Sequence, residues 1–346
     1  MMRLCYNFLN KKRMIMEMFW IILGVVVALI LIYLLLANGD LIVSESVVID
    51  APVDKVFSYI LNLRNWKEWN SWIRYEQNAP LKYSDDVSIE GGYYSWDGKV
   101  IGSGKLTHHK IVTNERIEQK IQFFKPFKSS SDISWVFEEE NGKIKVTWGM
   151  NGKLPFFLKP MLGKMKESLS RDYKMGLLYL AQMLDAKAPK MQLDFVGEIQ
   201  FDGGTALCKA DKGSIAYIQK TMGKGFENLL RYCKDNEIVL TGYPLSVYHK
   251  MNPKRGFVYD IAVPVDPSSP PSDEFTLKAL PVGKYLKVTL HGSYQYMDLA
   301  WHSAFCYLKM HKFKYDWGRA SIEVYETSPS EVAPAELITS ILVAIK

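Results

Sequence analysis

Residues 283–325 read GKYLKVTLHGSYQYMDLAWHSAFCYLKMHKFKYDWGRASIEVY. The stretch begins as a strand at Gly283, turns at His291-Gly292 and continues as a helix from Tyr296 to His311. It ends in the strand Ser321-Ile322-Glu323-Val324-Tyr325. A last strand, Thr339 to Ile345, completes a β-α-β-β unit. The same order occurs upstream. Gly213 to Val265 reads as strand, glycine turn (Thr221-Met222-Gly223-Lys224-Gly225), helix (Phe226 to Asn236), a strand ending Ser246-Val247-Tyr248, and a strand from Val258 to Val265. The second half of the chain is therefore an internal duplication. Two such units join their sheets about a pseudo-two-fold axis, which predicts both helices on one face and an open groove on the other.

Gly242-Tyr243-Pro244, Val263-Pro264-Val265 and the tail from Ile322-Glu323-Val324-Tyr325 through Pro329, Pro334 and Glu336 carry a likeness. Residues 193–346 resemble the GyrI-like effector-binding domain, also seen in bacterial transcription regulators that sense drugs. In those regulators a helix-turn-helix domain is fused in front. Here other sequence takes that place, so the resemblance implies small-molecule binding without direct DNA binding.

Alternation along Ser321–Tyr325 assigns Ile322 and Val324 to the face under the helices, and Ser321, Glu323 and Tyr325 to the groove. A carboxylate then sits among aromatics, where the related strand has Ser246 and Tyr248. A solvated Glu on an edge strand is the plain alternative. The resemblance implies that an acidic residue in this strand lies at the bottom of the drug pocket. Tyr217, Tyr248, Tyr285, Tyr294, Trp317 and Tyr325 are candidates for its aromatic walls. A desolvated carboxylate within aromatic walls favours planar or lipophilic cations. Some relatives are proposed to hydrolyse strained electrophiles, and Glu323 would then be the general base.

The first half has a different grammar. Leu41 to Ile49 reads as a strand, and Asp50-Ala51-Pro52-Val53 starts a short helix with Asp50 as N-cap. Val, Ile, Trp, Phe and Thr dominate the segments from 80 to 150, and Gly91-Gly92, Asp97-Gly98, Thr113-Asn114 and Asn141-Gly142 separate them. Such a pattern makes an antiparallel sheet. Met161 to Asp185 then sets Leu169, Tyr173, Leu177, Leu180 and Leu184 at helical spacing. Ile49 to Phe57, the Trp-rich turn at 66–72 and Asp172 to Leu177 resemble the START-like superfamily of polyketide cyclases and lipid-binding proteins (SRPBCC). That resemblance implies a curved sheet around the long helix, with an apolar cavity between them. Trp66, Trp69, Trp72, Trp96, Trp135 and Trp148 line that cavity or, by the reading we favour, form the core.

Phe19 to Ala37 (FWIILGVVVALILIYLLLA) holds no charged residue. At ~1.5 Å per residue it is long enough for a bilayer core of about 30 Å. Leu36-Ala37-Asn38-Gly39-Asp40 is a poor cleavage site, so an uncleaved anchor is expected. Arg3, Lys11, Lys12 and Arg13 against Glu17 place half of the net charge of +6 before this segment. The positive-inside rule then predicts a bacterial cell-membrane protein with its N-terminus in the cytoplasm and the rest outside. Beyond residue 17 the charges interleave without a basic stripe, giving nucleic acid nothing to bind. Hydrophobic residues at 48% and charged residues at 23% exclude a disordered chain.

Other chemistries fail on spacing. The six histidines (108, 109, 249, 291, 302, 311) form no HExxH set, and His302 with Cys306 at i, i+4 is a lone ligand-like pair. No metal or cofactor is expected. Gly102-Ser103-Gly104-Lys105 is not a phosphate loop, and no GxSxG elbow occurs. Cys208, Cys233 and Cys306 are odd in number and make no disulfide framework.

The expected fold is α+β: a START-like helix-grip domain plus a duplicated β-α-β-β GyrI-like domain, with one N-terminal transmembrane helix. Residues 1–17 form a basic tail, 18–38 the transmembrane helix, 41–186 the START-like domain, 187–192 a linker and 193–346 the GyrI-like domain. The expected function is binding or sensing of hydrophobic small molecules, cations included, from a membrane held through residues 18–38. A hydrolase working through Glu323 and an envelope lipid carrier are the rivals, and the sequence names no protein partner.

Overall fold

The computed structural model describes the backbone of residues 2–270 and 272–346, and side chains from Met14 onward. Helix α1 (Met2–Leu36) leads. Within its Met14–Leu36 portion an 18-residue window has a mean hydropathy of 3.1 and is unburied, and the portion is long and apolar enough to be a membrane span or a signal sequence. At its foot, Lys159 donates to the Leu35 carbonyl at 3.2 Å.

The first sheet follows: β1 (Asp40–Ile49), then helices α2 (Val53–Leu61) and α3 (Trp66–Trp69), then β2 (Leu81–Tyr83), β3 (Tyr93–Asp97), β4 (Ser103–Val112), β5 (Arg116–Lys125), β6 (Ser129–Glu140) and β7 (Lys143–Lys153). The order across the sheet is β1-β7-β6-β5-β4-β3-β2, with every neighbour antiparallel. Asn141-Gly142 turns β6 into β7 with both residues at positive φ, as the two-residue hairpin requires. Asp50 does not cap α2. Pro52 holds that position without a side-chain bond, and Asp50 instead pairs with Lys187 at 3.2 Å.

Helix α4 (Leu162–Leu184) lies across this sheet. Tyr173 stacks on Trp148 with ring centroids 3.7 Å apart, and Trp148 stacks on Trp135 at 4.9 Å. Trp66 and Trp69 close the cluster edge-on. All five are buried. Indole rings thus occupy the space where the START-like resemblance implies a cavity, and most of the tryptophans of this half are core. Gly176 permits the approach, since a Cβ there would meet the Trp148 ring at 3.0 Å.

The second sheet is built from β8 (Met191–Phe201), β9 (Thr205–Gly213), β10 (Leu245–Asn252), β11 (Gly256–Pro264), β12 (Thr276–Ala279), β13 (Gly283–Gly292), β14 (Ser321–Tyr325) and β15 (Ile338–Ala344). Helices α5 (Ile215–Asp235) and α6 (Met297–Met310) complete it. The order β12-β9-β11-β10-β14-β15-β13-β8 contains the two expected units, β9-α5-β10-β11 and β13-α6-β14-β15, joined at β10 and β14.

Two expectations need correction. The segment Thr221–Gly225 is not a turn: α5 runs unbroken from its Ser214 cap. Gly225 is there for packing, because a Cβ would come within 2.6 Å of Ile261 Cδ1 on the sheet below. The second correction concerns the faces. Glu323 lies opposite Ser246 on β10, and Ser246 opposite Ile261 on β11, so these residues share one face. That face carries the helices: Ile218 of α5 packs with Tyr248, Tyr259 and Ile261, and Met222, Phe226 and Trp301 pack beside them. Ile322 and Val324 point the other way, into a second apolar layer with Val247, Leu342 and Tyr285, which Phe201 of β8 helps to cover. The sheet is buried on both faces, so alternation groups the residues correctly and attaches the wrong face to the helices.

Candidate functional site

A groove of about 2600 Å³ runs between α5 and α6, with the centre of the second sheet as its floor. Glu323 stands on that floor at 6% exposure. Three uncharged donors hold it. Tyr325 donates to Oε2 at 2.6 Å and Tyr248 to the same oxygen at 3.0 Å, while the Trp301 indole N–H donates to Oε1. Among the described residues no Lys, Arg or His forms an ion pair with it. Burial raises the carboxyl above its ordinary 4.5, and the three donors pull the other way. The phenols of Tyr248 and Tyr325 are held well above 10 by burial and by the adjacent Glu323, so they remain donors.

Aromatic rings surround the carboxylate. Phe226 of α5 meets Tyr325 edge-on at 5.2 Å, Tyr294 meets it at 5.7 Å, and Trp301 meets Tyr248 at 5.9 Å. Burial, then Glu323, pushes Tyr294 up to about 12. Met222 places its polarisable Sδ 3.2 Å from the Tyr325 hydroxyl. A buried acceptor of negative charge inside ring faces, without a cation among the described residues, can take a flat positive or neutral apolar molecule.

Of the residues singled out in the sequence, Glu323, Tyr325, Tyr248, Tyr294 and Trp317 line this groove. Trp317 does so from the rim, at 88% exposure. Tyr217 and Tyr285 do not. Tyr217 lies over Gly213 at the start of α5, its hydroxyl 3.5 Å from Asp211. Tyr285 is fully buried in the opposite layer and donates to the Ala320 carbonyl at 3.0 Å. Alternation explains the second miss, for Tyr285 shares a face with Ile322 through β15. Sequence reasoning overlooked Trp301 and Phe226. The spacing of Trp301 and Phe305, one helical turn apart on α6, was the available signal.

His302 does not stand alone with Cys306. Asp172, from α4 of the first domain, brings Oδ1 to 2.9 Å from His302 Nε2, and Cys306 Sγ lies 3.6 Å from the same nitrogen. The three ligand atoms lie within 4.8 Å of one another, a group that could hold a metal ion. Burial pushes the Cys208 thiol up to about 12 and also raises that of Cys233.

Two family descriptions match the chain, one for each domain. Residues 212–346 fit the GyrI-like small molecule binding domain. Residues 40–184 fit polyketide cyclase / dehydrase and lipid transport. The chain joins these two domains. No curated protein matches it. Among solved structures, the EcmrR C-terminal domain shares 18% identity over 46% of this chain and 98% of its own, with a TM-score of 0.36. The Aha1 dimer from Colwellia psychrerythraea gives 14%, 42%, 96% and 0.31 in the same order. CalU16 from Micromonospora echinospora gives 16%, 41%, 74% and 0.29.

Proposed function

We propose that this protein is a membrane-anchored binder or sensor of hydrophobic small molecules, lipophilic cations above all, which it takes into the α5–α6 groove over Glu323. The observation that carries this reading is the carboxylate itself: buried, held by three neutral donors, and without a cation partner among the described residues. Such a group is costly until a positive charge arrives, and the rings around it are suited to a flat one. Both oxygens of Glu323 already accept bonds, which favours holding charge over abstracting a proton from water.

The membrane part of the reading rests on α1 and on its surroundings. Phe156 and Phe157 belong to the turn that contacts the foot of α1, and Phe127 packs against Phe157; all three rings are about half exposed. Aromatics beside the end of an apolar helix suit the interfacial zone of a bilayer. Basic residues before the apolar segment orient the N-terminus to the cytoplasm and the two domains to the exterior.

The test uses the full chain in lipid nanodiscs, with empty nanodiscs subtracted. Rhodamine 6G, a flat lipophilic cation, and fluorescein, an anion of similar size, are followed by fluorescence polarisation. Rhodamine 6G binds saturably to the wild type, and Glu323→Gln weakens it by about 10- to 100-fold, the worth of a hydrogen bond or pairing to a charged group. Equal binding of both dyes, or of wild type and Glu323→Gln, refutes the reading.

A further inference from the structure

The surface where the two domains meet contains a polar group that the groove does not use. His302 and Cys306 sit one turn apart on the same side of α6, and Asp172 reaches them from α4. Asp172 and His302 are almost fully buried, at 6% and 10% side-chain exposure. A tetrahedral zinc ion with its usual bond lengths of about 2.0–2.3 Å sets its ligand atoms roughly 3.2–3.8 Å apart. The Sγ–Nε2 separation here is 3.6 Å and the Nε2–Oδ1 separation 2.9 Å, and all three atoms lie within 4.8 Å of one another, so shifts of up to about 1 Å bring the set to the spacing of zinc ligands.

The surroundings are those of a supported ligand set. Trp72 donates its indole N–H to the other Asp172 oxygen at 3.1 Å, which fixes the carboxylate plane and leaves Oδ1 toward His302. Ser71 donates to the Asp172 carbonyl at 3.0 Å and pins the helix at that residue. Tyr75, at 2% exposure, sets its hydroxyl within electrostatic reach of Asp172 and Cys306, where Ser303 is its polar neighbour.

We propose that Asp172, His302 and Cys306 form a zinc site that clasps the two domains together. Soft sulfur, borderline nitrogen and hard oxygen in one set suit zinc better than magnesium or calcium, which take oxygen alone. Three protein ligands leave a fourth tetrahedral position for water or an outside donor. His302 also borders the groove, so the two sites share a residue.

The test uses the full chain in detergent, reduced and stripped of metal, titrated with Co2+ as a spectroscopic stand-in and then with Zn2+. A thiolate-to-cobalt charge-transfer band grows to saturation and is bleached by zinc. Cys306→Ser abolishes the band and Cys208→Ser keeps it. Trp72→Phe, which touches no ligand atom, weakens zinc binding by about 10- to 100-fold. Circular dichroism of each variant confirms that the fold persists. Absence of the band in the folded wild type overturns the proposal, leaving Asp172 and His302 as an ion pair. Persistence of the band in Cys306→Ser also overturns it.

Discussion

The two domains solve the same problem, aromatic side chains between a sheet and helices, with opposite results. In the first, one helix lies across the sheet, and Gly176 lets it descend until Tyr173 stacks on Trp148. The middle is solid indole. In the second, two helices lie side by side over the sheet and the gap between them stays open above Glu323. The difference lies in what stands at the centre: a stack of rings closes on itself, whereas the carboxylate with its three donors lies at the floor of an open groove. Of the two family descriptions this chain matches, the one that names small-molecule binding has the open site.

The comparison can be broken most forcefully at the stack. Trp148→Ala removes the ring between Trp135 and Tyr173, and is expected to destabilise the chain by about 3–5 kcal/mol, read by denaturant unfolding. If the loss is under about 1 kcal/mol, the first domain is not solidly packed and its middle deserves to be tested as a ligand cavity.

A smaller effect should appear with pH. Burial raises the Glu323 carboxyl above 4.5, so the folded chain holds that proton more tightly than the unfolded chain does. This contribution to stability is complete below 4.5 and is lost as pH rises through the raised value. Thermal unfolding of wild type relative to Glu323→Gln should therefore decline over that window, while affinity for rhodamine 6G climbs as the carboxylate appears. A pH-independent difference between the two proteins would mean that Glu323 is ionised throughout.

The smallest effect marks the edge of the site. Tyr217→Phe, on the outer end of α5, should leave rhodamine 6G affinity unchanged and stability within about 0.5 kcal/mol. A loss of affinity there would extend the groove beyond the residues that line it.

Much of this was legible in the sequence. The repeated β-α-β-β order, the strand Ser321–Tyr325, and the common face of Ser321, Glu323 and Tyr325 all follow from spacing. The side of the sheet did not, because Ile322 and Val324 are as apolar as a helix-covered face demands, and the chain uses them to build a second covered layer. Gly223 and Gly225 read as a turn because the reason for Gly225 lies on another strand, at Ile261. Asp172 beside His302 was illegible for the same reason, being 130 positions away along the chain.

One core runs through both domains. Ala300, Ala304 and Leu308 of α6 belong to the same continuous apolar cluster as Leu177 and Leu180 of α4. The place where one family description stops and the other begins is therefore not a seam in free energy. Opening either domain along this cluster uncovers part of the other, so the stability of each is coupled to that of its neighbour. Heredity can bring two modules together at a linker, but once α4 and α6 share their burial, exchanging either for a foreign version requires recomposing both helices at once.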